Sequence, residues 1–528
     1  MKKKAIIFSF YLLAFKIAFA QPLTIQWQKC LGGSYGDQIS VIRQTANNHY
    51  FLGASTISND GDVNGNHGLS GDFWIVEIDS NGVLQQQKCF GGSGEEELSS
   101  LMLFDDHYIA VGLPGSTDGD VTGLHGASLD FWILNADTSG NLIWEVCLGG
   151  TRFEEPYEII KSNNNCSVVI GYARSTDYDV TGLHDTISTT YSPDVWVVKI
   201  DSSGAIKWAK CYGGLYPDIG YSIVQTPDSG YIFTAGTKSN DGDVHGNHLI
   251  STDDFWIVKI DSLGIIEWEK CYGGTLDDIP RSIICTKDGG YAAIGLSMSN
   301  NYDVTSHHGS NGDEDAWLIK IDSIGNLQWE KSLGGTLYDY GAKIIQMPDS
   351  GYLALCYTNS TDDDLASNPA NGTDVWMIGL DQMGNILWSQ CFGGSFGDAA
   401  YDMELTADGG LIFGGITFSN DGDVSGNHGN GDAWVVKLAP LPDEIASSKI
   451  SVTDFSASLS CTNLQISFYS NKTTKSQIQL YDLAGRLLLT KHANFITGLN
   501  QLVIPVALPQ GMYFVKVDNA VEKVIASH

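Results

Sequence analysis

The sequence has few basic residues. It contains 29 Lys and Arg residues against 62 Asp and Glu residues, which gives a formal net charge of −33. Removing the predicted leader described next, which carries four lysines and no acid, brings the charge to −33 − 4 = −37. Nucleic acids and anionic lipids are bound through a cationic footprint. The balance therefore argues against both as partners and favours cations, basic surfaces or neutral glycans.

Long apolar runs are absent after the first twenty residues. Residues 2–4 are lysines, residues 5–15 form an apolar segment, and Ala18 and Ala20 form a small-residue cleavage site, so residues 1–20 are predicted to be a signal peptide. Lys16 interrupts the apolar segment, which makes it too short for a membrane anchor. No later stretch approaches about 18 uninterrupted apolar residues, so we expect no transmembrane segment.

The spacing of the cysteines does not indicate a disulfide framework. Six of the ten occupy one position of an internal repeat: Cys30, Cys89, Cys147, Cys211, Cys271 and Cys391. Equivalent positions in neighbouring repeats should lie beyond the roughly 7 Å Cα separation that a disulfide allows, so these residues are expected to be small buried apolar groups. Cys166, Cys285, Cys356 and Cys461 fall outside this position, and a pair within one repeat stays open for them.

The chain is instead dominated by a repeat of about 60 residues. Seven units begin with a Gly-Gly pair, whose first residues are Gly32, Gly91, Gly149, Gly213, Gly273, Gly334 and Gly393. An Asp-x-Trp sequence recurs in each unit, at Trp74, Trp132, Trp196, Trp256, Trp317, Trp376 and Trp434. A further Trp stands three residues before the cysteine position, at Trp27, Trp144, Trp208, Trp268, Trp329 and Trp388, with Gln86 in the seventh copy.

The residue pattern of each unit predicts four short strands. Aromatic and β-branched runs alternate with Gly, Asn and Asp turns, and no helical period is visible in the mature chain. The mature chain begins with a fourth strand, residues 24–31, and its seventh unit ends after a third strand, residues 434–438. Pairing the two ends would close a ring and remove exposed edges. We therefore predict an all-β, seven-bladed β-propeller over residues 21–439.

The blades resemble a known type of repeat. The segment from Val258 to Trp268 is similar to the Trp-bearing repeats of quinoprotein-like propellers. Quinone-cofactor enzymes also need a cofactor-stacking site and a metal site, and neither can be matched in this sequence. The spacing of Asp261, Gly264 and Trp268 departs from the sialidase Asp-box. The resemblance implies the blade fold, while the chemistry of these families does not follow from it.

A different pattern begins after residue 438. Residues 440–449 predict a linker, and residues 450–528 contain about seven short alternating segments that predict a small Ig-like β-sandwich. The motifs in this segment are Tyr481 with Asp482 and Gly485, a turn at residues 498–500, Gly511 with Tyr513, and Lys523 near the C-terminus. In this order they resemble the type A C-terminal sorting domain of the type IX (Por) secretion system of Bacteroidetes.

That resemblance implies passage into the periplasm and then export across the outer membrane by the type IX machinery. The protein would be released or held at the cell surface. The alternative is an ordinary Ig-like module for carbohydrate binding or adhesion.

Seven acidic residues, here called the ring acids, follow the first glycine of each pair by five positions. They are Asp37, Glu96, Glu154, Asp218, Asp278, Asp339 and Asp398. If the strand after Gly-Gly is innermost, these carboxylates lie around one mouth of the central channel. They could stabilise the glycine turns by accepting backbone N–H groups, or they could bind cations from the open channel. Recurrence in all seven units favours the scaffold role.

A second acidic set lies in the long loop between the second and third strands. Asp60, Asp62 and Asn64, followed by Gly65, match the opening half of a calcium loop. No Glu stands at the twelfth position, and Asp residues of the Asp-x-Trp sequences could complete the ligand set. The candidate calcium ligands are Asp60, Asp62, Asn64, Asp72, Asp241, Asp243, Asp421, Asp423 and Asp432. The alternative is an Asx-turn network that folds the loop without metal.

Histidines recur in the same loop in six units, at His67, His125, His184, His248, His308 and His428. One imidazole per blade cannot build a multi-histidine zinc site, so we expect a donor that structures the loop. Catalysis would need residues that break the repeat. The candidates are Arg43, Arg152, Arg174, Arg281, His107, Glu95 and Glu155, and they show no nucleophile–base spacing.

These observations predict a monomeric, exported, non-enzymatic binding protein for a glycan, a protein or a cation-bridged ligand. The long loops and the Gly-Gly turns should share one face of the propeller, and the ligand should meet that face where a blade breaks the symmetry. The first alternative is a secreted polysaccharide hydrolase or lyase with its active site on the same face. A quinoprotein-like oxidoreductase is a further alternative. Calcium is the candidate cofactor of the binding protein.

Overall fold

The computed structural model describes residues 23–440 apart from 69, 127, 186–191, 311 and 366–371, and residues 452–526 apart from 460–462, 471–473, 483–485, 496–497, 507, 509–510 and 518–519. The predicted signal peptide and residues 441–449 of the predicted linker lie outside these ranges. The chain divides into two compact units, Met1–Leu441 and Pro442–His528, and each is described by itself. In the described ranges no helix is both long and apolar enough to cross a membrane.

The described part of the first unit contains 28 strands. In chain order they are β1 (Ile25–Leu31), β2 (Asp37–Gln44), β3 (Tyr50–Thr56), β4 (Asp72–Ile78), β5 (Leu84–Phe90), β6 (Glu97–Leu103), β7 (His107–Leu113), β8 (Phe131–Asp137), β9 (Leu142–Leu148), β10 (Glu154–Ser162), β11 (Cys166–Ala173), β12 (Asp194–Ile200), β13 (Ile206–Tyr212), β14 (Asp218–Gln225), β15 (Tyr231–Thr237), β16 (Asp254–Ile260), β17 (Ile266–Tyr272), β18 (Asp278–Cys285), β19 (Tyr291–Ser297), β20 (Asp315–Ile321), β21 (Leu327–Leu333), β22 (Asp339–Gln346), β23 (Tyr352–Thr358), β24 (Asp374–Leu380), β25 (Ile386–Phe392), β26 (Asp398–Leu405), β27 (Leu411–Thr417) and β28 (Asp432–Leu438).

These strands form seven four-stranded antiparallel sheets, which are the blades. Blades 1 to 6 are β2–β5, β6–β9, β10–β13, β14–β17, β18–β21 and β22–β25, and blade 7 is β26–β28 completed by β1. Strand β1 pairs with β28, from Leu31 opposite Ala433 to Ile25 opposite Leu438. The first strand of each blade contacts the first strand of the next, and β26 contacts β2. The predicted all-β propeller is confirmed, and the two ends of the unit meet in one blade.

Aromatic side chains fill the space between blades. The Trp of every Asp-x-Trp is fully buried. Phe73 of blade 1 packs on Trp132 of blade 2 with ring centroids 4.6 Å apart, and Phe131 packs on Trp196 of blade 3 at 4.7 Å. Tilted aromatic pairs of this kind stabilise a core beyond the area they bury. In blades 1, 2 and 4 the Phe before the Trp therefore joins one blade to the next.

Every innermost strand contains one bulge. The register of β14 against β15 shifts between Gly220 and Ser222, so Tyr221 is the extra residue. The same shift occurs at the equivalent place in the six other first strands. A bulge bends its strand and redirects a side chain. This irregularity determines what lines the channel.

Helix is limited to two single 3-10 turns within the described ranges, Asn163–Asn165 and Asp363–Leu365. Nine cysteines lie in the described part of the chain, and all of them are free thiols. Cys166, Cys285 and Cys356 are among them. Cys461 lies outside the described residues.

Within its described residues the second unit has seven strands: β29 (Val452–Leu459), β30 (Asn463–Ser470), β31 (Thr474–Asp482), β32 (Leu487–Phe495), β33 (Gly498–Pro505), β34 (Gly511–Val517) and β35 (Ala520–Ala526). One sheet has the order β29-β30-β33 and the other has the order β32-β31-β34-β35. Alternate residues of the paired strands, including Ile466, Leu480 and Val515, are buried in one core. Period-two burial on two sheets produces the small β-sandwich that the sequence predicts.

Candidate functional site

The ring acids lie beneath the Gly-Gly turns. In blade 1 the N–H of Gly33 donates to Asp37 at 2.8 Å, and the hydroxyls of Thr56 and Ser58 donate to the same carboxylate. The equivalent bond from the second glycine is present in all seven blades, at 2.6 to 2.9 Å. All seven ring acids are 0 or 1% exposed. They face the glycine turns rather than open solvent in the channel, which is the scaffold arrangement.

The loop acids hold the same turns from the other side. Asp60 accepts from the N–H of Ser34 at 2.7 Å, and Asp62 accepts weakly from the N–H of Gly32 at 3.4 Å. Asp241, Asp243, Asp421 and Asp423 repeat these two bonds in blades 4 and 7. Three consecutive N–H groups of each turn thus meet three different acceptors. The structure explains why an acid recurs at each of these positions.

The candidate calcium ligands are not gathered at one point. The carboxylates of Asp60 and Asp62 are directed to the turn N–H groups, and the backbone carbonyl of Asn64 accepts from Gln87 at 2.9 Å. Asp72 is directed to His67 instead. In the part of the chain that the structure describes, no three His, Cys, Asp or Glu side chains converge as a metal site would need. The loop geometry is that of a hydrogen-bonded network.

The recurring histidines fix the Asp of each Asp-x-Trp. Nδ1 of His67 lies 2.6 Å from Oδ2 of Asp72, and the His67 N–H donates to the same oxygen at 3.1 Å. Five further pairs repeat this contact: His125 with Asp130, His184 with Asp194, His248 with Asp254, His308 with Asp315 and His428 with Asp432. The hydrogen bond to Asp254 raises the pKa of His248, although burial opposes the rise. The histidines therefore structure the loop.

Asymmetry appears in the channel, at the bulges of the seven inner strands. The bulged residues are Ser40, Ser99, Tyr157, Tyr221, Arg281, Ala342 and Tyr401, and all seven line one cavity of about 300 Å³. Each stands eight positions after the first glycine of its unit. Side chains are large in blades 3, 4, 5 and 7 and small in blades 1, 2 and 6. This repeat position could have been found in the sequence, but its inward direction depends on the bulge.

Arg281 is the cation of this cavity. Its guanidinium lies 4.4 Å from the ring centroid of Tyr221 and 5.3 Å from that of Tyr340, and its Nε donates to the Tyr340 hydroxyl. Stacking of this kind holds a guanidinium in place while leaving its outer N–H groups available. Within the described residues Arg281 forms no ion pair with a carboxylate. The cavity can therefore offer these N–H groups to an acidic group.

An ion network closes the middle of the channel. Lys343 lies 3.3 Å from Asp402 and 3.8 Å from Glu158, which belongs to a blade across the ring. Arg43 bonds to Asp402 at 2.6 Å. Burial works against ionisation, yet the charges of Lys343 and Arg43 lower the pKa of Asp402. These four side chains form the floor of the cavity, which opens toward the Gly-Gly turns.

Exposed apolar side chains surround the mouth of the channel on the turn face, and we call them the collar. They stand in or beside the Gly-Gly turns and are 46 to 63% exposed: Tyr35, Leu215, Tyr216, Leu337, Tyr338 and Phe396. Blade 5 contributes the half-buried Leu276. Gly94 and Arg152 occupy the equivalent position in blades 2 and 3, so the collar is interrupted there. Sequence reasoning singled out the acids of these turns and missed the collar.

The remaining repeat-breaking candidates are dispersed. Glu155 accepts from the hydroxyl of Tyr172 at 2.7 Å, and Arg174 lies 5.9 Å from the centroid of the same ring. Glu95 is exposed on the turn face. His107 stacks on Phe104 at 4.3 Å on the opposite face. Of the seven candidates, Arg43 and Arg281 reach the channel cavity.

The sorting motifs lie on neighbouring strands of the second unit. Tyr481 is on β31, and Tyr513 is on β34 and is buried in the core. Gly511 is the first residue of β34, and Lys523 pairs with Phe514 between β35 and β34. Gly485 lies outside the described residues. The motif positions therefore belong to adjacent strands of one sheet.

Residues 460–527 match the secretion system C-terminal sorting domain family. The protein is therefore an exported β-propeller that carries a sorting domain of the type IX secretion system and is handled by that machinery. Its destination is the cell surface or the extracellular space.

One curated relative and three solved structures are similar to parts of the chain. Regulatory protein FlaEY of Caulobacter vibrioides is 22% identical over 204 residues, which are 36% of this chain and 21% of that protein. The chain thus spans about a fifth of the length of this relative.

The Neurospora crassa Pan2 WD40 domain has a TM-score of 0.42 and 9% identity, and the match covers 78% of this chain and 95% of that chain. Chaetomium thermophilum Sqt1 has a TM-score of 0.40 and 11% identity, with 81% of this chain and 94% of that chain covered. The phage phi92 endosialidase has a TM-score of 0.40 and 10% identity, with 80% of this chain and 70% of that chain covered. The propeller architecture stated above depends on the strand pairing rather than on these likenesses.

Proposed function

We propose that this protein is an exported, non-enzymatic binding protein, and that its ligand is another protein, which docks on the turn face. The observation that carries the proposal is the collar around the mouth of the channel. Exposed apolar side chains gathered at one place mark interaction sites on soluble proteins. Tyr, Phe and Arg are also the residues enriched in protein–protein interfaces. The collar and the cavity below it supply all three.

The cavity defines what the partner inserts. Tyr157, Tyr221 and Tyr401 provide apolar walls with polar tips, and Arg281 provides outer N–H groups for a carboxylate. A volume of about 300 Å³ admits one or two side chains rather than a polymer. We propose that a loop of the partner places an aromatic or aliphatic residue and an Asp or Glu there. The protein's net negative charge disfavours a polyanion, so the acidic group should be single.

The residues of the cavity do not favour the alternative of a secreted polysaccharide hydrolase or lyase. A lyase base needs a pKa near the working pH. Burial raises the pKa of Tyr221 to about 12, away from that range. A glycosidase needs a protonated acid opposite an ionised partner. Asp402 is held ionised by Lys343 and Arg43, and Glu158 accepts the N–H of Ile223 at 2.8 Å.

The proposal is tested by selecting cyclic peptides from a display library on the immobilised mature protein. We expect the selected peptides to combine an aromatic or aliphatic residue with one Asp or Glu. Their affinity should fall at least tenfold on Arg281→Ala and on Phe396→Asp. Leu263→Asp is the matched control, because Leu263 is 66% exposed on a turn between third and fourth strands, on the other face.

Peptides that bind all three variants equally would contradict the proposal. A parallel screen incubates the wild type with a panel of polysaccharides and looks for new reducing ends or unsaturated products. Product formation that Arg281→Ala abolishes would replace binding with catalysis at the same cavity.

A further inference from the structure

On the face opposite the collar, most neighbouring blades are joined by the same contact. The Trp of a fourth strand packs on the glycine turn of the next blade, and its indole N–H donates to a carbonyl of that turn. Trp27 does so to Ser80 at 2.9 Å, Trp144 to Ser202 at 3.0 Å and Trp208 to Ser262 at 3.2 Å. The indole also covers the turn glycine: a Cβ on Gly204 would lie 3.0 Å from the ring of Trp144. A ring therefore fills each such junction.

The junction between blades 1 and 2 lacks this ring. Gln86 stands in place of Trp, and its Nε2 donates to the carbonyl of Thr138 and to Glu77. The amide thus keeps the polar bond of the indole. The three atoms nearest to a Cβ on the turn glycine, Gly140, would all belong to the side chain of Lys88 rather than to an aromatic ring. A small gap of about 20 Å³ lies between Gln86 and Gly140.

The turn between the first and second strands of blade 2 is short, which leaves the junction between blades 1 and 2 more open. Residues 104–106 join β6 to β7, whereas five residues form this turn in blades 1, 4, 5, 6 and 7. In blade 4 the longer turn carries Asp228, which is paired with Lys259 of the third strand at 2.8 Å. Blade 2 has Asn135 at the lysine position. The replacement of Trp by Gln86 and the short turn at residues 104–106 therefore both leave space at the junction between blades 1 and 2.

Two buried polar atoms are left without partners there. The hydroxyl of Tyr108 and Oδ1 of Asn135 have no hydrogen-bond partner among the described atoms. Tyr108 is 1% exposed and lines the gap beside Gln86. A buried hydroxyl or amide without a partner costs stability unless something completes its bonds. Neither residue lines the larger cavity on this face, so the two atoms show that the interior of blade 2 beside that cavity is imperfectly packed.

The resulting cavity, which we call the blade-2 cleft, has a volume of about 760 Å³. It extends from Gln86 and Thr138 to Arg43 and Glu404 at the far mouth of the channel. Pockets for small ligands span roughly 300 to 1,000 Å³. The cleft is on the opposite face from the collar, so it is a separate site.

The lining of the cleft identifies a class of ligand. Four of its charged groups are already engaged: Arg43 with Asp402, Glu77 with His49 at 2.7 Å, Glu404 with the N–H of Gln44 at 2.7 Å, and Lys161 over the ring of Phe104 at 4.5 Å. The fifth, Asp105, is exposed and can accept from a hydroxyl of a guest. The other polar groups of the lining are amides and hydroxyls beside apolar side chains, and some of them also bond to neighbours, as Gln44 does to the N–H of Ala407 at 2.8 Å. The polar ones are Gln44, Thr45, Asn47, Thr138 and Ser139. Neutral donors and acceptors beside an apolar wall complement a sugar, which carries hydroxyls around a C–H surface.

We infer that the blade-2 cleft binds a neutral oligosaccharide. The test titrates the mature protein calorimetrically with cellohexaose, xylohexaose, mannohexaose, laminarihexaose and maltohexaose. We expect at least one of them to bind. Gln86→Trp should restore the ring found in the regular junctions and weaken that binding at least tenfold. Its melting temperature should equal or exceed that of the wild type, because the new indole can bond to the Thr138 carbonyl.

Two further variants make the result specific. Asn47→Ala removes an amide of the cleft lining, and it should weaken binding several-fold. Arg281→Ala alters the channel cavity on the other face and should leave the affinity unchanged. Failure of all five sugars to bind, or equal binding by wild type and Gln86→Trp, would overturn the inference. Loss of binding in Arg281→Ala but not in Gln86→Trp would also overturn it, since the sugar would then occupy the channel.

Discussion

Asp130 of blade 2 and Glu154 of blade 3 face each other across Gly149. Oδ1 of Asp130 and Oε2 of Glu154 each lie 2.7 Å from the point that a Cβ on Gly149 would occupy. Both carboxyl groups are fully buried. Glu154 accepts the N–H groups of Gly150 and Ser175, whereas Oδ1 of Asp130 has no partner among the described atoms. A proton on Asp130, donated to Glu154, would remove both the repulsion and the orphaned oxygen.

The same relationship recurs around the ring. In every blade the Asp of Asp-x-Trp has one buried oxygen with no partner among the residues that the structure describes: Asp72, Asp130, Asp194, Asp254, Asp315, Asp374 and Asp432. Each lies beside the ring acid of the following blade, and that neighbour's charge contributes to the raised pKa of Glu96, Asp218 and Asp278. Each of the seven junctions between blades therefore contains a pair of neighbouring buried carboxyl groups.

The first prediction concerns pH. Burial raises the pKa of Glu154 from 4.5 to about 7 and also raises that of Asp130. Between these two pH values the folded chain holds protons that the unfolded chain has released, so stability falls as pH rises through this window. We expect a higher melting temperature at pH 5 than at pH 8. A melting temperature that is constant or rises over this interval would contradict the shared proton.

Asp130→Asn separates this explanation from general acid sensitivity. The amide N–H can donate to Glu154 as the proton does, so the variant should match or exceed the wild type at pH 8 and lose part of the pH dependence. Asp105→Asn, at an exposed turn position, is the control and should leave the profile unchanged. Equal destabilisation of Asp130→Asn at both pH values would show that the carboxylate itself is required.

The second prediction concerns the space above Gly149. A Cβ there would lie 2.7 Å from both carboxylate oxygens. Overpacking of a buried site costs about 1–3 kcal/mol, so Gly149→Ala should destabilise the propeller by about that amount in urea unfolding. Gly36→Ala is the matched control, since a Cβ on Gly36 meets nothing within 4 Å. Equal stability of the two variants would mean that the turn relaxes freely.

The limits of sequence reasoning follow from these same positions. The constant spacing from the Gly-Gly pair identified Asp37 and its equivalents in the sequence, and the regular recurrence of the tryptophans predicted the blades. Both are properties of spacing. The inward direction of Arg281 depends on a bulge, and the gap beside Gln86 depends on what an absent ring leaves unfilled. The direction of a side chain and the size of a gap cannot be read from the distance between residues along the chain. The sequence therefore identifies Arg281 as a departure from the repeat but does not predict its environment.

The third prediction concerns calcium. Asp60 and Asp62 accept N–H groups of the Gly-Gly turn, so a cation would have to displace hydrogen bonds that hold the scaffold. We expect the same melting temperature with calcium chloride and with chelator. Asp60→Ala should lower it equally in both conditions. A saturable rise with calcium in the wild type, absent in Asp60→Ala, would show that the loop binds the ion.

The fourth prediction concerns the channel floor. Lys343 joins Asp402 of blade 7 to Glu158 of blade 3. Lys343→Met keeps most of the volume but removes one cation from a largely buried pair, which should cost on the order of 2 kcal/mol. Lys270→Met is the control: its exposed ammonium bonds to Asn326, and surface changes stay within about 0.5 kcal/mol. Equal effects in urea unfolding would mean that the floor is not an energetic link.

The last prediction concerns export. Residues 460–527 match the sorting domain, so deleting residues 450–528 should leave the propeller in the periplasm of a host that has type IX machinery. Immunoblots of periplasm, outer membrane and medium measure this. The reciprocal variant joins residues 1–20 and 450–528 to a periplasmic reporter protein, which should then appear outside the cell. A host lacking the secretion machinery is the control for both. Unchanged surface display after the deletion would place the export signal in the propeller instead.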